Sequence, residues 1–301
     1  MRASLQPDLR PDRPPPIPWS EYESWLLDLW AELLASDPLE PQVQTFLEAH
    51  PALLPGGNGD IGPGGHHGSE YEAVYAEPPL HGLPRDRRPD FMWVTRSTSL
   101  ITPICIEIER PRKRWFNQSG TPTKELTQAL DQLVQWKVWF SEPENQAIFW
   151  KTYLRGEDRD RQLLPQYVLI FGRREEFDDR SGIHDAPRRL TKKREFMARR
   201  DEHFLTFDSL RPREDYRDSV TLKMTASGPV LHRIPPSFTT GPETRDVASA
   251  VRNPRPAIDK TELWSDERKA YVLERWSYWQ KVADADRRLN SCQAYSLERG
   301  E

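Results

Sequence analysis

Apolar residues recur every three or four positions in some segments of the chain, and in others they form short continuous or alternating runs. The first spacing is typical of amphipathic helices and the second of strands. Helices are predicted at residues 20–36, 41–50, 123–140, 144–155, 187–200 and 265–289. Strands are predicted at residues 69–77, 90–95, 103–109, 166–172 and 203–210, with a later hairpin that turns at Ser227 and Gly228. In this order the elements predict an α/β fold whose sheet can contain both strand directions.

Cap and turn residues mark where several of these elements begin and end. Ser20, with Glu23 three residues later, has the pattern of a capping box and predicts the start of the first helix. The glycine-rich residues 55–68 are predicted to form a loop, and residues 235–260, rich in proline and glycine, are predicted to be irregular. Because residues 55–68 lack the Gly-Lys-Ser/Thr ending of a phosphate-binding loop, no nucleotide cofactor is expected.

The composition describes a polar chain with enough apolar residues for a core. Of 301 residues, 30% are charged and 36% are hydrophobic, and the net charge is −4. Any contact with nucleic acid therefore has to come from local basic patches rather than from the overall charge. Two cysteines are present, and every apolar run is shorter than the roughly 20 residues that a membrane-spanning helix needs. We expect a cytoplasmic protein without disulfides and without a membrane segment.

Three carboxylates lie on two neighbouring predicted strands. Asp90 precedes the run FMWV, and Glu107 and Glu109 alternate with apolar residues in PICIEIE. Since residues two apart on a strand share a face, Glu107 and Glu109 point the same way, and Asp90 can reach the same edge of the sheet. Such an oxygen-rich pocket suits Mg²⁺, which takes carboxylates together with waters and substrate phosphate. The alternative is that Glu107 and Glu109 form the solvated face of an ordinary amphipathic strand.

Basic residues and a glutamine lie close to these carboxylates in the sequence. The basic residues are Arg88, Arg110, Arg112, Lys113 and Arg114. Cations beside carboxylates suit a phosphate-bearing polymer, because each phosphate contact releases counterions. Gln132, on the predicted helix that follows, can orient a water molecule or contact a DNA backbone. The alternatives are a solvated run of charges and an ordinary exposed helix face.

These motifs together resemble the PD-(D/E)XK nuclease superfamily and, more narrowly, the Shedu family of anti-phage defence nucleases with its DUF4263 domain. The runs PDF, EIERP and EL..AL.QLVQW carry the core of the resemblance. Upstream, the family's helix E-x-x-x-Q-x-FLE-x-x-P-x-LL is matched by EPQVQTFLEAHPALL at residues 40–54. Downstream, YVLIFG, RRLTKKREFMARR and LTFDSL match a strand, a basic helix and a strand end of the family. The resemblance covers residues 36–212.

The resemblance implies a restriction-endonuclease-like core, with a mixed central sheet flanked by helices, that cuts or nicks double-stranded DNA with Mg²⁺ or Mn²⁺. It also implies a homo-oligomer, either a dimer or a tetramer, that acts in bacterial anti-phage defence. Carried over by position, Asp90 and Glu107 bind metal in this comparison. Glu109, beside them, is expected to be a third metal-binding and catalytic carboxylate. Gln132 corresponds to the helix residue of the family motif, and Glu40 to an accessory acid.

One position departs from the family pattern, because Glu109 stands where lysine is usual. A carboxylate there can bind a second metal ion or act as a general base, but it cannot donate positive charge. Some restriction endonucleases of the superfamily have glutamate at this position and are active. Lys113 or Lys124 could supply the missing cation.

The predicted organisation has three parts: a flexible arm at residues 1–18, a nuclease-like domain with its N-terminal helix at residues 19–212, and a C-terminal region at residues 213–301 for oligomerisation or partner contact. The favoured function is a Mg²⁺- or Mn²⁺-dependent DNA endonuclease or nickase. A catalytically impaired module that binds or senses DNA is the first alternative, because Glu109 replaces lysine. An interaction protein without a nucleic-acid role is the second, indicated by the 11 tryptophans and the net acidity.

Overall fold

Helices and strands alternate along the chain in the computed structural model, which describes residues 13–154 and 161–285. The α-helices of the described residues are α1 (Trp19–Ala35), α2 (Glu40–Ala49), α3 (Lys124–Ser141), α4 (Pro143–Tyr153), α5 (Pro187–Met197), α6 (Thr244–Ala250), α7 (Arg255–Asp259) and α8 (Asp266–Ala285). The strands are β1 (Ser69–Ala76), β2 (Phe91–Arg96), β3 (Leu100–Ile108), β4 (Gln162–Leu163), β5 (Gln166–Ile170), β6 (Glu202–Leu205), β7 (Val220–Thr225) and β8 (Gly228–Arg233).

All the described strands belong to one sheet, in which β3 has a central position. The strand order is β6-β5-β3-β2-β1-β7-β8, with the short β4 paired to β3. β3 runs antiparallel to β2 and parallel to β5, and β1 runs antiparallel to β2 and parallel to β7. The sheet is therefore mixed, and helices flank it. The predicted α/β class with a mixed, helix-flanked sheet is confirmed.

The two faces of the sheet pack against different helices. Ile104, Ile106 and Ile108 of β3 lie in an apolar cluster with residues of α1 and α2. Cys105, which alternates with them, lies in a second cluster with the apolar side of α3. Because both faces of the central strands are buried, their sequences are nearly continuous apolar runs. Only where β3 ends does this pattern give way to glutamates.

Most elements begin and end within a few residues of their predicted bounds. At the start of α1, however, the predicted capping residue is wrong. Ser20 was expected to cap this helix, but α1 already begins at Trp19, and the residue before it, Pro18, makes no side-chain cap. The carbonyl oxygen of Pro18 instead accepts hydrogen bonds from the backbone N–H groups of Glu21 and Tyr22. Proline suits this position because its fixed φ leads directly into a helix.

The expectation for residues 235–260 was wrong, because this segment contains α6 and α7. Val247 and Ala248 of α6 and Ile258 of α7 are buried in the core cluster that also contains Cys105. Burial of these side chains stabilises two short helices that propensity alone does not predict. The predicted strand at residues 203–210 is also shorter than expected, since β6 ends at Leu205 and a 3₁₀ turn follows.

The C-terminal region contributes directly to the sheet and to its apolar covering. The predicted hairpin is present as β7 and β8, and β7 pairs with β1. Trp276 and Trp279 of α8 are fully buried. Of the predicted arm, residues 1–12 lie outside the described residues, whereas the carbonyl of Pro14 accepts a hydrogen bond of 2.9 Å from Arg268 Nη1. The division of the chain into domains stays a prediction.

A membrane-spanning segment was not expected, and within the described residues no helix combines the length and the apolar character needed to cross a membrane.

Candidate active site

Two carboxyl groups lie side by side where β2 begins and β3 ends. The register that pairs Phe91 with Ile106 places Asp90 opposite Glu107, so both side chains project from the same face of the sheet. Their carboxyl groups are hydrogen-bonded to each other. The backbone N–H of Ile108 also donates to Asp90 Oδ2 at 2.8 Å. The antiparallel pairing of two strands therefore fixes the position of Asp90 relative to Glu107.

A second pair of carboxyl groups lies beside the first. Glu109 follows the end of β3, and its carboxyl group is hydrogen-bonded to that of Glu40, the first residue of α2. Lys113 Nζ forms an ion pair with Glu109 Oε2. A tight turn, closed by the 3.0 Å hydrogen bond from Lys113 N to Arg110 O, brings the ammonium group back toward the glutamate. The site therefore contains two carboxyl pairs and one adjacent cation.

The two glutamates at the end of β3 are not a solvated strand face. Glu107 is 6% exposed and Glu109 is 8% exposed. Buried carboxylates are uncommon unless they are paired or bind a cation. Glu109 has Lys113 as a partner, whereas the partner of Glu107 is another acid, Asp90. The alternative of an ordinary amphipathic strand is therefore wrong for these two positions.

Crowding of acids in a buried place shifts their proton affinities. Burial, together with the charges of Glu40 and Glu109, raises the pKa of Asp90 to about 7. Burial and the charges of Asp90 and Glu109 raise the pKa of Glu107 well above its usual value. Burial and the charge of Glu109 raise the pKa of Glu40 as well. Without a cation, the cluster therefore retains protons at neutral pH that isolated carboxyl groups would release.

The chemistry of these donors fits a Mg²⁺ or Mn²⁺ ion held mainly by two protein ligands. In the described residues, no group of three or more histidine, cysteine, aspartate and glutamate side chains is arranged to hold a metal ion. Mg²⁺, however, is commonly bound through one or two carboxylates, with waters and substrate phosphate completing its coordination. Asp90 and Glu107 form such a pair, and their raised pKa values indicate a place that favours added positive charge.

The basic residues next to the cluster lie in different surroundings. Arg110 and Arg112 both bond Asp37, at 2.9 and 3.1 Å, so part of their charge is neutralised within the chain. Arg88 and Arg114 are exposed, as is Lys124. Among these basic residues, all of them in the described part of the chain, Lys113 is the one that forms an ion pair with the carboxyl cluster.

Gln132 is exposed on α3. Within the described part of the chain, no hydrogen bond joins its side chain to the four acids. The geometry therefore gathers Asp90, Glu107, Glu109 and Glu40 into one site, whereas Gln132 has no hydrogen bond to these acids among the described residues.

Gln44 belongs to the same site, although no motif in the sequence marks it. Its Nε2 lies 3.4 Å from the carbonyl oxygen of Asp90 and 3.5 Å from Glu48 Oε1. Glu40, Gln44 and Glu48 follow at intervals of four, so they form one polar face of α2. His232 and Lys223 of the β7–β8 hairpin contact Glu48 at 2.8 and 3.1 Å. The four-residue spacing was visible in the sequence, but the strands that it faces were not.

Comparison with known proteins identifies the family of this chain. No curated protein sequence matches it. A protein-family model described as "Shedu protein SduA, C-terminal" matches residues 37–211. This segment exceeds half of the chain and contains all four acids of the cluster together with Lys113. The chain therefore belongs to the Shedu family, through its SduA C-terminal domain.

Proposed function

We propose that this protein is a metal-dependent DNA endonuclease or nickase of an anti-phage defence system, with a PD-(D/E)XK active site. Membership of the Shedu family points to anti-phage defence. The observation that carries the nuclease activity is the buried carboxyl cluster at the end of β3, because acids at this density hold protons until a cation replaces them. A cell would use such a site to break phosphodiester bonds in invading DNA.

In the proposed reaction, Asp90 and Glu107 would hold the Mg²⁺ or Mn²⁺ ion. Bound there, the ion would supply Lewis acidity toward the attacking water and the scissile phosphate. Glu109 is the base that accepts a proton from the attacking water, since it is the carboxylate whose partner is a cation. The water oxygen bonds to phosphorus while the bond from phosphorus to the leaving sugar oxygen breaks, and that oxygen takes a proton from solvent. Lys113 remains beside Glu109 and provides positive charge toward the phosphate, the role for which the superfamily more often uses the residue at position 109.

Glu40 has a supporting part in this proposal. Its carboxyl group contacts Glu109 and its own pKa is raised, so Glu40 can hold a proton beside Glu109. The backbone carbonyl of Asp90 is bonded by Gln44 from the same helix. We infer that α2 positions the acids and that its first turn takes part in proton exchange around Glu109.

Incubation of supercoiled plasmid with the protein and Mg²⁺ or Mn²⁺ tests the proposal. We expect nicked or linear product from the native chain, and a loss on the order of a hundredfold or more in rate for Glu107→Gln and Asp90→Asn. Asp28→Asn, an exposed acid of α1, is the matched control and should keep the native rate. Absence of product with both metals, or full activity of Asp90→Asn, contradicts the proposal.

A second candidate function is a nuclease-fold module that binds or senses DNA without cutting it. The observation that favours this module is the geometry of the carboxyl cluster. Within the described residues, no three side chains are arranged to hold a metal ion together. Isothermal titration calorimetry separates the two. Heat of Mn²⁺ binding that disappears in Glu107→Gln supports the enzyme, whereas DNA binding without any such metal uptake supports the module.

A further inference from the structure

A cleft lined by one face of α5 is separate from the carboxyl cluster. Its volume is about 540 Å³, which is within the range of small-molecule pockets. The loop at residues 118–121 forms one wall and α5 forms the other. Neither the acids nor the cations assigned to the proposed reaction line this cleft.

The helix face that lines the cleft is basic and ends in an exposed aromatic ring. Arg189, Lys192, Lys193 and Phe196 follow at i, i+3, i+4 and i+7, so they project from one side of α5, and all four line the cleft. Phe196 is 89% exposed. Large apolar side chains at this helical spacing usually face a core, whereas this phenylalanine faces solvent at the mouth of a charged cleft.

The rest of α5 anchors this face to the protein. Arg194 lies over the ring of Phe177 at 4.6 Å, and Leu190 is 7% exposed. Lys193 Nζ donates to the carbonyl of Gly120 at 2.6 Å, which ties the helix to the opposite wall. The cleft is therefore bounded by fixed elements, and Phe196 extends from a helix that is held on its other side.

The charge of the cleft favours an anionic ligand. Arg189 and Lys192 are exposed, and the described residues provide no ion pair for either of them. Asp185 is the acid of the lining, and His184 is bonded to Glu176 at 3.0 Å. Three cations thus face one exposed carboxylate. Such an imbalance attracts phosphate groups.

The cleft is connected to the carboxyl cluster by a short, well-anchored segment. Gln118 follows Glu109 by nine positions, which limits their separation to about 30 Å. Midway, the backbone N–H groups of Trp115 and Phe116 donate to the buried carboxylate of Glu176 at 2.8 and 2.9 Å. One DNA molecule could therefore reach both places within about one turn of duplex.

We propose that this cleft holds an unpaired strand of the DNA substrate, with a base stacked on Phe196 and phosphates bound by Arg189 and Lys192. The proposal rests on the proposed function, since it assigns part of the substrate to a second place on the same domain. An unpaired strand fits better than duplex because a ring can stack only on a base whose face is free. Stacking on an aromatic ring beside cations is how sequence-tolerant single-strand sites are built.

Fluorescence anisotropy with a labelled 12-nucleotide single strand, in EDTA, tests the proposal without any cleavage. Phe196→Ala and Phe196→Leu should weaken binding on the order of tenfold, whereas Phe196→Trp should keep it, because leucine retains apolar bulk but has no aromatic face. The combined variant Arg189→Ala/Lys192→Ala should reduce the slope of log K against log salt by about 1.4, for two lost phosphate contacts on a single strand. Val138→Ala and Lys151→Ala/Arg255→Ala remove similar exposed groups elsewhere and should change neither quantity.

Three results would overturn the proposal. The first is native single-strand affinity in Phe196→Ala, with circular dichroism showing that this variant is folded. The second is equal weakening by Phe196→Ala and Phe196→Trp. The third is a change of oligomeric state in Phe196→Ala, seen by sedimentation, with unchanged DNA binding, since it would assign the ring to a protein contact.

The plasmid assay separates this proposal from the proposed function. If the native chain cuts no DNA but binds the single strand through Phe196, the nuclease assignment fails and the cleft assignment stands. If the chain cuts plasmid and Phe196→Ala retains native strand binding, the cleft assignment fails alone.

Discussion

Replacement of Asp90 by asparagine should make the metal-free protein more stable at alkaline pH. Asparagine has nearly the shape of aspartate and keeps an oxygen to accept the hydrogen bond from Ile108 N. It removes the charge that burial and the neighbouring acids disfavour. The variant therefore removes the electrostatic cost of burying this carboxylate while it keeps the hydrogen bond from the backbone of Ile108.

The magnitude follows from the pKa of Asp90, which rises from 3.8 to about 7 in the folded protein. The raised value means that the folded chain holds a proton that the unfolded chain releases between these two pH values. Stability is therefore unaffected below the unfolded pKa and falls as pH rises toward the folded one. Three pH units at about 1.36 kcal/mol each correspond to a cost of up to about 4 kcal/mol above pH 7.

Urea denaturation in EDTA at pH 5 and pH 8 measures this cost. From pH 5 to pH 8, ionisation of Asp90 should lower the unfolding free energy of the native protein by about 2.7 kcal/mol. The decrease in unfolding free energy of Asp90→Asn over the same range should be smaller by about 2.7 kcal/mol. Glu107 loses a neighbouring charge in the variant, which acts in the same direction. Asp28→Asn serves as the exposed control. Equal pH dependence of the native protein and Asp90→Asn would refute the reasoning about convergent acids.

Three further predictions concern the metal, the cation and the loop beside the site. Mg²⁺ at a hundred times its Kd should stabilise the native protein by about 2.7 kcal/mol at pH 8, which differential scanning fluorimetry detects as a rise in Tm. Glu107→Gln should show no rise in Tm with Mg²⁺. Lys113→Met should lower the single-turnover nicking rate on the order of a hundredfold, and Lys113→Arg should recover part of that rate. If Lys113→Met cuts at the native rate, Lys113 has no part in the reaction. Glu176→Ala leaves three buried donors without their acceptor and should cost roughly 3–5 kcal/mol in urea denaturation, with Glu176→Gln costing less.

The sheet was predictable from the sequence because its central strands have strong local patterns. Alternation in PICIEIE and the apolar run FMWV placed β2 and β3 correctly, and antiparallel register then set Asp90 opposite Glu107. Whether Glu107 and Glu109 were buried could not be read from alternation, because a solvated face and an acidic site have the same spacing. The distinction depends on α2 packing over the end of β3.

Most features that could not be predicted from the sequence depend on contacts that only the tertiary structure creates. Lys113 lies four residues after Glu109, yet no helix connects them, so the contact depends on the turn that starts at Arg110. Gln132 matches the family motif by its position in the sequence, but the structure leaves it exposed on α3. The helices at residues 244–259 form because the core they cover is supplied by distant strands and by α8.

The pairing of β7 with β1 has a consequence for any shortened form of this protein. β1 has β2 on one side and β7 on the other, and Thr221 of β7 also donates to the carbonyl of Glu48 at 2.7 Å. A chain ending at residue 211 would leave one edge of β1 with unpaired backbone groups beside an uncovered apolar face. Such an edge recruits strands from other molecules. Residues 37–211, which identify the family, are therefore too short to stay monodisperse in water, because β7 lies beyond them.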